Sequence, residues 1–323
     1  MQRLLKLLCI ASLTLASATA GGASAPGNYP TKPIRLIVPF APGGGTDVVS
    51  RLVAQSVSES FGQPVIVDNR AGSGGLLGME MTARASADGY TLGVVSGSIA
   101  TNAAARKLSF DPVRDIIPVS VMAETGFLLT LNPGVQARNT NELVALAKAS
   151  PGKLSYGSSG VGATSHLAAE LFDLLAGTKM VHIPYKSTGP ALTDLLSGQI
   201  ALTYGSLPVV IPHMQSGRLR VLAITSPKRS KALPDVLTIA ESGVPGYDVL
   251  TWYGVIAPQG LSKPMLARWH AAMEGALQSR AIQERFKSDG LEVPETGTRY
   301  FADAIRRDIA KWAVVFKKGD IRL

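Results

Sequence analysis

Cysteine is almost absent from this 323-residue chain: the single one, Cys9, lies in the first apolar run. A body without paired cysteines has no disulfide frame and no thiol chemistry, so its stability must come from its core. Histidine is also scarce, and His166, His182, His213 and His270 fall on separate elements without the spacing of metal ligands. Nucleotide motifs are missing too. Gly43-Gly44-Gly45-Thr46 lacks the lysine of a phosphate loop, and Gly72-Ser73-Gly74-Gly75-Leu76-Leu77 has leucine where a dinucleotide fingerprint needs its third glycine. Gly157-Ser158-Ser159-Gly160-Val161 misses the last glycine of a nucleophile elbow. Ser165 and His166 are helix neighbours that point in different directions, so they cannot act as nucleophile and base on one another. No cofactor, metal or catalytic activity is expected.

After the first few residues no apolar run approaches the roughly 20 residues needed to span a bilayer. Arg3 and Lys6 precede an uncharged run from Leu7 to Ala20 that ends in Ala18-Thr19-Ala20, the pattern of a secretory signal peptide. Cleavage after Ala20 is expected, with Ala25 as the alternative end, and bulky Leu8 before Cys9 argues against a lipoprotein. Either cut removes Cys9 and lowers the formal charge from +9 to +7 through loss of Arg3 and Lys6. The remaining basic residues are interleaved with acids instead of forming a stripe, which speaks against nucleic acid as a partner. A positive surplus of this kind can steer anions or simply aid solubility.

What is present is alternation. Ile34 to Val38 reads as a strand, Val49, Leu52, Val53 and Val57 as a helix face, Gln63 to Asp68 as a strand, Gly74 to Ala85 as a helix and Tyr90 to Val95 as a strand. Such alternation predicts α/β architecture with parallel sheets flanked by helices. A second unit starts near Thr125, after an extended stretch from Val119 to Leu131, and contains helices over 141–149 and 189–197 with strands at 180–183, 200–204 and 219–224. A second extended run, Val249 to Ala257, brings the chain back. Ala304, Ile305, Ile309, Trp312 and Phe316 share one face of a C-terminal helix expected to cover the first sheet. The expected organisation is a first lobe of residues 29–124 and 254–323, a second lobe of residues 125–253, and two hinge crossings.

Two glycine-rich segments stand out, Ala41-Pro42-Gly43-Gly44-Gly45-Thr46-Asp47 and Gly160-Val161-Gly162-Ala163-Thr164-Ser165-His166. Each follows a strand and opens a helix, where unpaired backbone N–H groups and the helix dipole favour an anion and glycine permits close approach. Thr46 and Thr164 are candidate helix caps. Ser96-Gly97-Ser98 ends the third strand at the carboxyl edge where open α/β sheets bind ligands. Tyr185, Tyr204 and Trp252 are secondary candidates to line a cleft, against the plainer reading that they fill the core.

The chain from Tyr29 to its C-terminal helix resembles the receptors of tripartite tricarboxylate transporters, the Bug receptors. The resemblance rests on Tyr29-Pro30-Thr31-Lys32-Pro33-Ile34-Arg35, Val38-Pro39-Phe40-Ala41-Pro42-Gly43-Gly44-Gly45-Thr46-Asp47, Gly62-Gln63-Pro64-Val65, Asp68-Asn69-Arg70, Asp88-Gly89-Tyr90-Thr91-Leu92, Thr164-Ser165-His166-Leu167, Ile183-Pro184-Tyr185-Lys186 and Ala191-Leu192-Thr193-Asp194-Leu195-Leu196. It implies a two-lobed periplasmic-binding-protein-like, or Venus-flytrap, fold in which each lobe is a mostly parallel sheet flanked by helices. It also implies a small carboxylate in the cleft, held by backbone groups, small hydroxyls and water. The matching positions are Phe40, Ala41, Pro42, Gly43, Gly44, Gly45, Thr46 and Asp47 on one side and the stretch Ser158, Ser159, Gly160, Val161, Gly162, Ala163, Thr164 and Ser165 on the other; Ser96, Ser98, Tyr204, Gly205 and Ser206 complete the expected site. Gly205-Ser206 replaces the aspartate-glycine pair of many relatives, and Ser187 replaces a glycine after Tyr185-Lys186. A cleft lacking that carboxylate offers less to an ammonium group, so an unsubstituted acid should bind better than an amino acid. The resemblance implies a monomeric periplasmic receptor that delivers its ligand to a membrane permease; the alternative is a sensor that docks on a histidine kinase.

Overall fold

The computed structural model describes residues 29–319 and 321, so the expected signal segment lies outside the described residues. The first lobe opens with β1 (Ile34–Val38), α1 (Gly45–Phe61), β2 (Val65–Asn69), a short 3-10 turn (Ser73–Gly75), α2 (Leu76–Ala83), β3 (Thr91–Ser96), α3 (Ser98–Ala105) and β4 (Ile116–Thr125). The second contains β5 (Phe127–Leu131), α4 (Thr140–Ala149), β6 (Ser155–Ser158), α5 (Thr164–Ala176), β7 (Val181–Pro184), α6 (Thr188–Leu196), β8 (Leu202–Ser206), α7 (Leu207–Gln215) and β9 (Arg220–Ile224). The chain then returns through β10 (Thr251–Pro258), followed by α8 (Lys263–Gln278), α9 (Arg280–Ser288) and α10 (Thr298–Gly319). The apolar stripe read in the sequence is the buried face of α1, where Val49, Val53 and Val57 pack under β1 and β3 while Leu52 is half-buried.

The long extended stretch after Val119 is two strands in different sheets. The chain leaves the first sheet after Thr125, and Gly126 turns it into the second where a Cβ would lie 2.8 Å from Ile224 Cγ1. Val249 is still tied to the second lobe through Thr225, whereas Thr251, Trp252 and Tyr253 pair with β4. Thr125 and Thr251 to Tyr253 therefore belong to the first sheet instead of the second lobe, and the crossings sit at Gly126 and Leu250.

The strand orders are β2-β1-β3-β10-β4 and β7-β6-β8-β5-β9. In each sheet one half is parallel and the other antiparallel, because the crossing strands β10 and β5 run against their neighbours. The sheets are thus mixed, where mostly parallel ones were expected. The two orders are the same path followed twice, with β1 equivalent to β6 and β3 to β8. That repetition accounts for the likeness of the two glycine segments, which leave equivalent strands.

Helix α10 departs from expectation as well. Phe301 and Ile305 pack in the first lobe, but Trp312 is buried in the core of the second and Phe316 rests against that same core; Ile309 touches both. At about 1.5 Å per residue the helix is about 33 Å long, enough to lie across both lobes. Its first half is seated by Gly254, in the middle of β10, because the Phe301 ring occupies the place a Cβ would take there. Trp252 meets the same ring edge-on at 5.1 Å and donates from Nε1 to Asp308 at 2.8 Å.

Behind the second glycine segment lies a stack absent from the sequence reading. His166 of α5 and His182 of β7 are parallel with ring centroids 3.9 Å apart, and Tyr156 of β6 continues the stack 5.0 Å from His182. His182 Nε2 shares a 2.6 Å hydrogen bond with Ser158 Oγ, and Gly162 N donates to His166 Nδ1 at 3.2 Å. Burial pushes the His182 imidazole down to about 4, the His166 ring adds to that fall, and Glu170 partly opposes it.

Two expectations follow. Gly254→Ala should destabilise the protein by about 1–3 kcal/mol through overpacking against Phe301, measured as a lower urea midpoint. Because His182 has a lower pKa folded than unfolded, the unfolded chain binds the extra proton between about pH 6.5 and 4, so stability falls as pH drops through that window. His182→Gln should flatten this part of a plot of melting temperature against pH; an unchanged slope would exclude His182 as its source.

Candidate functional site

A cavity of about 20 Å³ lies between the lobes, at the carboxyl ends of the strands. It is built from equivalent parts of both sheets. Phe40, Gly45 and Thr46 come from the β1–α1 junction, Ser96 and Ser98 from the β3–α3 junction, and Thr251 and Tyr253 from β10. Opposite them stand Ser159 and Ser165 from the β6–α5 segment, Ser187 and Thr188 from the β7–α6 junction, Ser206 from the end of β8, and Phe127. The N-termini of α1, α3, α5, α6 and α7 all open here, and no charged side chain lines the cavity. Helix starts offer free N–H groups and a positive dipole end, and hydroxyls turn to donate or accept, so a cavity of this kind suits an anion without any formal positive charge.

The first segment is held in shape by Asp47 and Asn69. Asp47 accepts from Gly43 N at 3.0 Å and from Asn69 Nδ2 at 2.9 Å, while Asn69 Nδ2 also donates to the Phe40 carbonyl at 2.9 Å. Burial raises the Asp47 pKa, but hydrogen bonds from Arg51, Asn69 and Gly43 outweigh it and keep the carboxyl below its ordinary value. Asp47 is thus taken up by Gly43 N and the side chains of Arg51 and Asn69 and does not line the cavity. Gly43 has φ +82, the left-handed region that favours glycine, whereas Gly44 has an ordinary φ of −90 and caps α1 without any side-chain bond. Thr46 lies within α1 and Thr164 is the first residue of α5 behind Ala163, so neither threonine caps its helix.

The second segment is gripped by α3 of the other lobe. Ser98 Oγ accepts from Thr164 N at 3.1 Å; the Gly162 carbonyl accepts from Thr101 Oγ1 at 2.6 Å and from Asn102 Nδ2 at 3.1 Å. Within the segment, Ser159 N donates to Ser165 Oγ at 3.0 Å. Across the mouth, Ala41 N donates to the Lys186 carbonyl at 3.0 Å. Gly44 lies so close to α6 that its Cβ would overlap Ser187 Oγ, and a Cβ on Gly45 would come 2.6 Å from Ser206 Oγ and 2.7 Å from the Tyr253 hydroxyl. The lobes are closed on one another, and the glycines are where they touch.

Of the residues expected from sequence, Phe40, Gly45, Thr46, Ser96, Ser98, Ser165 and Ser206 line the cavity. Gly44, Gly162, Ala163 and Thr164 stand just behind it in the contact between lobes, while Ala41 and Gly160 face a neighbouring chamber. Ser158 is turned to His182. Tyr204 is in the core of the second lobe, 6.4 Å from Phe172, its hydroxyl buried without a hydrogen-bond partner, and a Cβ on Gly205 would strike Val210. Tyr185 donates to Asp194, and Trp252 to Asp308 as described. Ser159, within the expected stretch from Ser158 to Ser165, lines the cavity as well; sequence reasoning missed Phe127, Thr188, Thr251 and Tyr253, and it recorded Ser187 only as a departure. The usable signal was position: Ser187 lies just past β7, at the strand-to-helix junction that starts α6.

Comparison with known proteins identifies the family. Residues 49–321 match the model of the tripartite tricarboxylate transporter family receptor. The chain is 37% identical to protein BugT of Bordetella pertussis over 326 residues, covering 98% of each. The solved structure of the periplasmic binding protein BugD superposes with a TM-score of 0.88 at 32% identity, over 91% of this chain and 99% of that one. An R. palustris protein solved with adipate superposes with a TM-score of 0.87 at 33% identity and the same coverage. The chain belongs to the tripartite tricarboxylate transporter receptor family, among the Bug-type solute-binding proteins.

Proposed function

We propose that this protein is a periplasmic receptor that takes a small organic carboxylate into the cavity between its lobes and delivers it to a membrane permease, with no chemistry done on the ligand. The observation that carries this reading is the ring of hydroxyls and helix N-termini contributed by both lobes around a space without acidic or basic side chains. A carboxylate there would be stabilised by fixed dipoles from two bodies at once, so its differential affinity for the closed form would drive closure. Water exclusion on closure strengthens each of those hydrogen bonds. Micromolar affinity, about 8 kcal/mol, would suffice for capture and still permit release.

Ser187 and Ser206 refine the ligand class. Both line the cavity and neither bears a charge, and no acidic side chain lines it that could pair with an ammonium group. An unsubstituted acid is therefore the better ligand. In calorimetry succinate should bind at least about tenfold tighter than aspartate, the effect of one unpaired buried ammonium; equal or tighter binding of aspartate would overturn this preference. In a thermal-shift panel of mono-, di- and tricarboxylates, a true ligand at about 100 times its Kd adds about 2.7 kcal/mol and raises the melting temperature by about 4 °C.

The contact glycines give a second test. Gly44→Val keeps an allowed backbone conformation but places a side chain into Ser187, so it should leave both lobes folded and lower affinity at least about 100-fold by obstructing closure. Gly162 is a poorer probe, since its φ of +82 would add strain and its Cβ would meet Asn102. Unchanged affinity of Gly44→Val, with unchanged circular dichroism, would detach the first segment from ligand capture.

A further inference from the structure

The histidine stack touches the second glycine segment at two points. His166 Nδ1 accepts from Gly162 N at 3.2 Å, and Ser158 Oγ, which shares the 2.6 Å bond with His182 Nε2, also accepts from Gly160 N at 3.1 Å. Because Nδ1 accepts, the neutral His166 ring carries its proton on Nε2, 3.5 Å from Glu170 Oε1. The same Gly162 is held from the other lobe, where Thr101 and Asn102 of α3 donate to its carbonyl. Its N–H is thus fixed by a titratable ring and its C=O by the lobe that closes on it.

A further proton on His166 would occupy Nδ1 and set two donors against each other, so the Gly162 bond would have to break. In the closed form Gly162 cannot turn away without straining its bonds to α3; in an open form it is held from one side only, and water takes the N–H. Charge acts in the same direction. Closure brings Arg106 of α3 against the segment, its Nη2 3.4 Å from the Val161 carbonyl and 2.7 Å from where a Cβ on Gly162 would lie, and a like charge disfavours a proton on His166. Other titratable groups come from the elements packed around α5. Burial raises the Glu170 pKa, but hydrogen bonds from His166 and Tyr156 outweigh it and keep the carboxyl below its ordinary value. Asp173, a turn beyond, accepts from Thr178 Oγ1 and Met180 N; burial keeps the Tyr204 hydroxyl of β8 protonated; and α10 meets α5 at its far end, Gly319 against Leu174. Glu170 supplies the counter-charge that admits one proton to the stacked pair, and the 3.9 Å between rings excludes a second.

We propose that His166 is a positioning residue for ligand capture: neutral, it holds Gly162 where α3 can grip it, and protonated it releases the segment, so that closure expels a proton and acid favours the open form. The proposal rests on the receptor reading above and adds a proton linkage to it. The sign follows from which form takes the proton. A single proton bound in preference by the open form leaves affinity intact above the ordinary histidine value of about 6.5 and lowers it by up to about tenfold per pH unit below.

The test is calorimetry with succinate and adipate as probes, on the wild type, His166→Asn and His166→Leu. Asparagine offers Oδ1 where the ring has Nδ1 and does not titrate, so the affinity of the wild type relative to His166→Asn should fall about tenfold from about pH 7.5 to about pH 5.5. His166→Leu removes the acceptor and should bind about tenfold more weakly than His166→Asn at both pH values. Protonation of the acids themselves affects all three proteins alike and cancels in these ratios. A ratio of wild type to His166→Asn that does not change with pH would overturn the proposal and leave the receptor reading intact. In the ligand-free protein, hydrogen-exchange protection of the Gly162 amide should fall about tenfold over the same range in the wild type and stay constant in His166→Asn. Constant protection in the wild type would overturn the proposal whether or not an acid binds. Binding of neither acid at either pH would overturn the receptor reading, and the proposal with it.

Discussion

The convergence of helix N-termini on a cavity without a charged side chain is the arrangement on which the rest of this molecule depends. A lysine or arginine would be mobile, hydrated and costly to bury, whereas the backbone N–H groups at the starts of α1, α3, α5, α6 and α7 are fixed by their helices and need no counter-ion when the cavity is empty. Fixed donors demand fixed bodies. The fold meets that demand by running the same strand order twice, so that the carboxyl edges of both sheets, with the helices that start there, face a common space.

Small residues follow from this. Donors in two bodies can reach one space only if the backbones come nearly into contact, and Gly44, Gly45, Gly74 and Gly160 are where they do. The bonds that hold the closed form are correspondingly short-range: α3 donates to the Gly162 carbonyl, Ser98 accepts from Thr164, and Ala41 donates to the Lys186 carbonyl. Each is made between groups that water would satisfy in an open form. Their net contribution is therefore of order 1 kcal/mol apiece, small enough for closure to remain reversible.

Much of this was legible in the sequence. Glycine marks both segments because only glycine permits the approach, and the rule that open sheets bind at their carboxyl edge located Ser96 and Ser98. The remaining hydroxyls carried no such mark. Thr188 and Thr251 look like any surface threonine until the tertiary fold turns them inward, and Tyr253 faces the cavity while its neighbour Trp252 faces α10 only because side chains alternate along β10. Tyr204, two residues short of Ser206, is packed against Phe172 inside β8, whereas Ser206 stands at the end of the strand. The histidine stack was invisible for another reason: β6, α5 and β7 bring Tyr156, His166 and His182 together across separations that no local spacing reveals.

Helix α10 shows most clearly where pattern reading stops. Its apolar stripe of Ala304, Ile305, Ile309, Trp312 and Phe316 establishes one buried face, but a stripe does not say how many bodies it is buried against. Here it is two, and that bears on how the lobes can move. A rotation that pulled Trp312 away from the second core would uncover a large indole, at a cost of about 2–3 kcal/mol, comparable with several of the interlobe hydrogen bonds together. A rotation whose axis runs near α10 leaves Phe301 and Trp312 both in place. Gly126 and Leu250 are the points where the chain crosses between sheets, and α10 spans the same two lobes through side chains alone. Two chain crossings and one helix tie the lobes together at three places instead of two, and donors on separate lobes meet at a cavity of about 20 Å³.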